Sequence, residues 1–206
     1  MSDERERIVF ATGNAHKMVE IRAILGDRYG VVSMKEAGIS ADIVEDGATF
    51  EANALIKARA VSRIAGCMAM ADDSGLEVDY LGGMPGIYSA RFLGENTSYE
   101  IKNRVIIDMV AKAKPEERTA RFVCAIACAW PDGRSEVVRG TFEGEIAKAP
   151  AGPNGFGYDP IFLVPELGKT SAEIAPGEKN AISHRGNALR LMRARLEQIH
   201  ENPGNQ

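Results

Sequence analysis

Residues 7–11 form a short apolar run rich in β-branched side chains. It stops at Thr12-Gly13-Asn14 and gives way at once to residues spaced for a helix. Val19, Ile21, Ala23, Ile24 and Leu25 keep an approximate helical period as far as Gly26. A strand cut off by a glycine turn and followed directly by a helix restricts the chain to folds that interleave the two kinds of element. The rest of the sequence continues that alternation. A second helix is expected over residues 49–65, with Thr49 as N-cap, Phe50, Ala54, Val61 and Ile64 facing inward, and Gly66 ending it. Residues 67–71 read as a buried strand running into Asp72-Asp73-Ser74-Gly75 and resuming at Leu76-Glu77-Val78. Ile101, Val105 and Met109 mark a third helix opened by Thr97 or Ser98. Residues 121–130 and 135–143 read as strands joined by Pro131-Asp132-Gly133, and Leu189, Met192, Leu196 and Ile199 mark a last helix. The expectation is a mixed α/β fold, with the glycine-rich stretch 81–86 as the joint between two lobes.

A chain of 206 residues fills one domain, or two small lobes sharing a core, and it contains no repeat or linker that would divide it further. With 45% hydrophobic and 26% charged residues it should fold, leaving only the polar ends, 1–6 and 201–206, prone to disorder. A net charge of -4 gives no reason to expect a general nucleic-acid binder, so a polyanionic substrate must be met by a local basic cluster. The longest apolar run, residues 122–130, falls far short of the roughly 18 residues a membrane helix needs. No secretory apolar core follows the charged start, so a cytoplasmic protein without membrane contact is expected. Cys67, Cys124 and Cys128 read as reduced, buried thiols in strands and not as a metal site.

Polar segments at the ends of apolar elements are where chemistry is usually built. At Thr12-Gly13-Asn14-Ala15-His16-Lys17 a helix start, with Lys17 beside it, can hold phosphate oxygens; the plain alternative is an N-cap with an exposed lysine. Both glycine spacings are wrong for a P-loop or a dinucleotide fingerprint. Asp72-Asp73 places adjacent carboxylates beside a core strand, which is costly unless something positive compensates them; otherwise the pair only caps a turn. Glu45 offers a second acidic ligand, and Asn53 and Lys57 lie four apart on one helix face. Mg2+ prefers few carboxylates together with waters and phosphate oxygens, which suits Glu45 and Asp73. In Gly155-Phe156-Gly157-Tyr158-Asp159 the glycines permit close approach and the rings offer stacking faces, or else the aromatics simply fill the core. Lys179, His184 and Arg185 precede or open the last helix, where a buried histidine and a surface arginine are the commoner fates.

These segments, together with Thr49-Phe50-Glu51-Ala52-Asn53-Ala54, Pro85-Gly86-Ile87-Tyr88-Ser89-Ala90-Arg91 and Ser183-His184-Arg185-Gly186, occur in an order that resembles the ITP/XTP pyrophosphatases, the Ham1-like non-canonical purine nucleoside triphosphate pyrophosphatases. The likeness runs from Ile8 to about Leu196. It implies an elongated mixed β-sheet with flanking helices, two lobes around a cleft, and a working homodimer. It also implies Mg2+-dependent release of pyrophosphate from ITP, dITP or XTP. By the same resemblance Thr12, Gly13, Asn14, Ala15, His16 and Lys17 bind the triphosphate, and Glu45 and Asp73 serve metal and water. Lys57, Ser74, Phe156, Gly157, Tyr158, Asp159, Lys179, His184 and Arg185 touch substrate. Within this picture Asp73 orients or deprotonates the attacking water. Arg185 and backbone N–H groups would donate to the 6-keto oxygen that inosine and xanthine carry and adenine lacks. Residues 81–91 are unusually apolar for a loop and suit the dimer contact. Competing readings are a nucleotide-binding module without catalysis, a phosphatase releasing single phosphates, and a Maf-like pyrophosphatase.

Overall fold

In the computed structural model, residues 5–201 are described; of the ends expected to be disordered, residues 1–4 and 202–206 lie outside them, as does the side chain of His16, whereas Glu6 opens a strand and Glu201 closes the last helix. The elements run β1 (Glu6–Phe10), α1 (Ala15–Leu25), β2 (Tyr29–Ser33), α2 (Phe50–Ala65), β3 (Ala69–Val78), α3 (Tyr99–Met109), β4 (Thr119–Ala129), β5 (Ser135–Ile146), β6 (Phe162–Val164), β7 (Lys169–Thr170), α4 (Pro176–Ile182) and α5 (His184–Glu201). The strands form one mixed sheet in the order β2-β1-β3-β4-β5-β6-β7. β1 pairs in parallel with β2 and β3, and β6 pairs antiparallel with β5 and β7. This is the α/β class that the alternating sequence pattern predicts.

Two compact units divide the chain. The first comprises residues 1–73, 124–140 and 185–206, the second residues 74–123 and 141–184. In the first, Met18, Ile21 and Leu25 of α1 and Ala188, Leu189, Met192 and Leu196 of α5 share a core with Ile8, Phe10, Met70 and Ile126 of the strands. Full burial of a residue such as Ile21 or Leu189 contributes on the order of 1.5–3 kcal/mol. Asn14 starts α1 by accepting the Lys17 N–H at 3.2 Å. Thr49 caps α2 through the Ala52 N–H, and Gly66 ends it in the left-handed conformation at φ 62. The second unit has its own core of Leu76, Val78, Ile106, Phe122, Phe142, Tyr158, Ile161 and Phe162.

Several helix faces depart from the apolar pattern. On α1 Met18, Ile21 and Leu25 are buried, whereas Val19 is 70% exposed. Ile64 is exposed because the inward stripe of α2 is Phe50, Asn53, Ala54, Ala58, Val61 and Ser62, leaving Ile64 at its edge. On α3, Ser98 is the cap, but the buried face is Lys102, Asn103 and Ile106, while Ile101 and Met109 point outward. Polar residues can occupy that face because their side-chain nitrogens are partnered: Lys102 Nζ donates to Ala90 O at 2.6 Å and Asn103 Nδ2 to Gly157 O at 3.0 Å. The stretch 81–86 is no joint. It lies inside the second unit, folded back on β3 through Gly83 N to Val78 O (3.0 Å) and Val78 N to Met84 O (3.2 Å). Cys124 and Cys128 are buried thiols of β4, whereas half-buried Cys67 precedes β3 and is not in a strand. Among the described residues no helix is long and apolar enough to cross a membrane.

Candidate active site

The Asp72-Asp73 pair lies inside β3, not in a turn after a strand. Successive strand side chains point to opposite faces, so the two carboxylates meet different surroundings. Asp72 meets Lys17 of α1 and Arg185 of α5, and Asp73 meets Asn53 and Lys57 of α2. One strand thereby distributes adjacent negative charges to two sets of partners within the first unit, two cations for Asp72 and one ammonium with a neutral amide for Asp73.

On the Asp72 side, Thr12 is nearly buried and its Oγ1 accepts the Asn14 N–H at 3.1 Å, which holds the turn that leaves Gly13, Asn14 and Ala15 exposed at the start of α1. Lys17 Nζ reaches back to Asp72 Oδ2 at 2.8 Å. Arg185, 4% exposed, sets Nε 3.5 Å from the same oxygen and donates from a terminal nitrogen to Glu20 Oε2 at 2.6 Å. Burial opposes ionisation of Asp72, but the charges of Lys17 and Arg185 outweigh it and hold the carboxyl well below the usual carboxylate range.

On the Asp73 side, Lys57 Nζ donates to Glu45 Oε2 at 2.8 Å and stands 3.9 Å from Asp73 Oδ1. Asn53, 1% exposed, donates to Asp73 Oδ2 at 3.1 Å and accepts the Gly47 N–H at 2.8 Å. A Cβ at Gly47 would stand 2.7 Å from Asn53 Oδ1, so glycine keeps the 45–47 segment against α2. Burial raises the pKa of Asp73, with Glu45 and Asp72 adding to the rise and Lys57 and Asn53 pulling against it. Two carboxylates thus share one ammonium and remain short of positive charge. That donor set fits a hard divalent cation. Among the described residues no group of three His, Cys, Asp or Glu side chains converges, so such an ion would complete its shell from water and phosphate oxygens.

The remaining candidates belong to the second unit. Ser74 follows Asp73 in β3 and is half-buried. Gly155 (φ 75) and Gly157 (φ 68) bracket Phe156, whose ring is 48% exposed with Lys179 Nζ 5.6 Å from its centroid. Asp159 is 2% exposed and organises this loop. It accepts from Phe156 N (2.8 Å), Ser171 Oγ (2.8 Å) and Lys179 Nζ (2.6 Å). Tyr158 is a core residue rather than a stacking platform: its hydroxyl donates to Ser89 O at 2.8 Å and its ring meets Tyr99 edge-on. His184 is buried with its ring stacked on Phe122, centroids 5.0 Å apart.

The sequence pattern of the Ham1 family matches residues 8–195, nearly the whole described chain. The chain belongs to the Ham1 family. Its relatives include a dITP/XTP pyrophosphatase of Exiguobacterium sibiricum, 47% identical over 92% of this chain and 96% of that protein. The solved Ham1 proteins of Coxiella burnetii and Staphylococcus aureus superpose with TM-scores of 0.87 and 0.85, at 40% and 44% identity. Each covers 94% of this chain and 99% of its own.

Within this Ham1 fold three supporting residues were not among the sequence candidates. Asn53 was noticed only for sharing a helix face with Lys57, yet it is buried and holds Asp73. Asp72 looked like a companion of Asp73, and the period of two along a strand was the signal that separates them. Glu20, Arg185's partner, stands 165 residues away in sequence, and no local pattern announces such a pair.

Proposed function

We propose that this chain hydrolyses non-canonical purine nucleoside triphosphates, dITP, ITP and XTP, to the monophosphate and pyrophosphate. Membership of the Ham1 family and relatives named dITP/XTP pyrophosphatases support the reaction. The observation that carries its chemistry is the Glu45–Lys57–Asp73–Asn53 constellation. Glu45 and Asp73 hold Mg2+, which when bound supplies positive charge to the phosphate oxygens.

Asp73 orients a water toward the α-phosphorus and takes its proton. The water oxygen bonds to phosphorus, the bond to the β-phosphate oxygen breaks, and pyrophosphate leaves with the electron pair. Lys17 and Lys57 neutralise charge accumulating on the triphosphate, with Thr12, Gly13, Asn14, Ala15 and His16 around the phosphate chain. Phe156 stacks on the purine; Gly157, Tyr158 and Asp159 shape its loop, and Lys179, Ser74, His184 and Arg185 complete substrate recognition. The enzyme works on the cytoplasmic nucleotide pool as a homodimer.

The reading is tested by incubating the protein with ITP and Mg2+ and measuring both phosphorus products. Pyrophosphate in a one-to-one ratio with IMP supports it, and orthophosphate with IDP makes the chain a phosphatase instead.

A further inference from the structure

We propose that Asp72 is a positioning residue whose task is to fix the ammonium of Lys17, an assignment that rests on Lys17 being a triphosphate ligand as argued above. Glu20, Arg185, Asp72 and Lys17 form a chain of alternating charge joined by contacts of 2.6, 3.5 and 2.8 Å. Its middle is deeply buried: the side chains of Arg185 and Asp72 are 5% and 1% exposed. Its ends are more open, at 21% for Lys17 and 21% for Glu20. Asp72 is held by the β3 backbone, the most rigid platform available to this group.

A free lysine side chain carries rotamer entropy that a phosphate contact must overcome. Anchoring Nζ to a strand-borne carboxylate removes much of that disorder before substrate arrives. One of the three ammonium N–H groups points to Asp72, and the others remain for phosphate oxygens. Arg185 explains how Asp72 can do this from a buried position, since its guanidinium keeps the carboxylate compensated while the Lys17 ammonium is shared with phosphate. Asp73 cannot substitute, because it faces Lys57 and Asn53 on the other side of the strand.

A residue acting only through Lys17 must lose its effect when Lys17 is gone, whereas a merely structural residue must not. The test is a kinetic double-mutant cycle on ITP with Lys17→Met, Asp72→Asn and the double variant, each checked for cooperative unfolding. The expected result is a KM raised about tenfold or more by Lys17→Met, about fivefold by Asp72→Asn with kcat nearly kept, and a double variant no worse than Lys17→Met. Multiplicative losses overturn the assignment. If Asp72→Asn does not fold, the unaltered protein decides: nitrogen-15 relaxation should show an ordered Lys17 ammonium, and mobility like that of a surface lysine overturns the proposal. Absence of ITP hydrolysis by the parent strikes the functional reading itself, whereas hydrolysis with multiplicative losses strikes only the role of Asp72.

Discussion

Asn53 Nδ2 donates to Asp73 Oδ2 at 3.1 Å from a helix position that is itself 1% exposed. The same amide accepts the Gly47 N–H, so a single buried side chain ties the Asp73 carboxylate to the segment carrying Glu45. The orientation of Asp73 is therefore set by α2 as much as by β3.

Asp73→Asn keeps volume and removes the charge that water activation needs. It should unfold within a few degrees of the parent and lose roughly 10²-fold or more in kcat, as expected for a general base. Asn53→Ala should cost less in kcat, about tenfold. Turnover of Asp73→Asn within a few-fold of the parent would remove Asp73 from the mechanism.

In the proposed mechanism metal and proton compete for Asp73. Burial, with Glu45 and Asp72, raises its pKa above the ordinary 3.8, and a bound cation stabilises the ionised form and lowers it again. The acid limb of the kcat/KM profile should therefore move to lower pH as Mg2+ increases, and EDTA should abolish turnover. Glu45→Gln should raise the Mg2+ concentration for half-maximal rate several-fold. An unchanged metal dependence in that variant would count against Glu45 as a ligand.

The order of elements and both caps of α2 were legible because they depend on local signals: period, Thr49, and Gly66 past the last turn. The buried face of α3 was not. Lys102 and Asn103 are inside because Ala90 O and Gly157 O meet them, and those carbonyls come from chain 12 and 54 residues away. The candidate site divides in the same way. Lys17, Glu45, Lys57 and Asp73 stood out by residue type beside apolar elements. Which cation pairs with which carboxylate required β3 to continue through Asp72-Asp73, whereas the sequence suggested a turn after the strand.

Gly155 has φ 75, and a Cβ there would stand 2.2 Å from Asp159 Oδ2, the atom that binds Phe156 N and Lys179. Gly155→Ala should cost about 2–3 kcal/mol from the left-handed backbone and the displaced carboxylate, lowering Tm by roughly 5–10 °C. It should also raise KM for ITP. A thermal scan with unchanged midpoint and unchanged KM would show that Asp159 does not organise the loop.

In the second unit Tyr80, Met84, Tyr88 and Leu93 are 44%, 47%, 57% and 49% exposed, a concentration of apolar surface within 14 residues of chain. This favours self-association. Sedimentation velocity at micromolar concentration should give a dimer, and Tyr88→Glu should shift it toward monomer. Monomer alone in the parent refutes the homodimer.

Base selection separates Phe156 from Arg185. The Phe156 ring is half exposed, and stacking is available to any purine, worth about 1–3 kcal/mol per base. Phe156→Ala should raise KM for ITP, XTP and ATP alike, on the order of tenfold. Arg185 is different: Glu20 Oε2 accepts from its guanidinium at 2.6 Å, and a donor held in this way discriminates sharply between a 6-keto acceptor and a 6-amino donor. Arg185→Ala also withdraws the counter-charge of Asp72 and so slows every substrate. That common loss cancels in the ratio of kcat/KM for ITP to that for ATP, which should fall by about tenfold or more. An unchanged ratio would leave Arg185 only its ion pairs with Glu20 and Asp72, and recognition of the 6-keto oxygen would then have to come from the donors of the second unit.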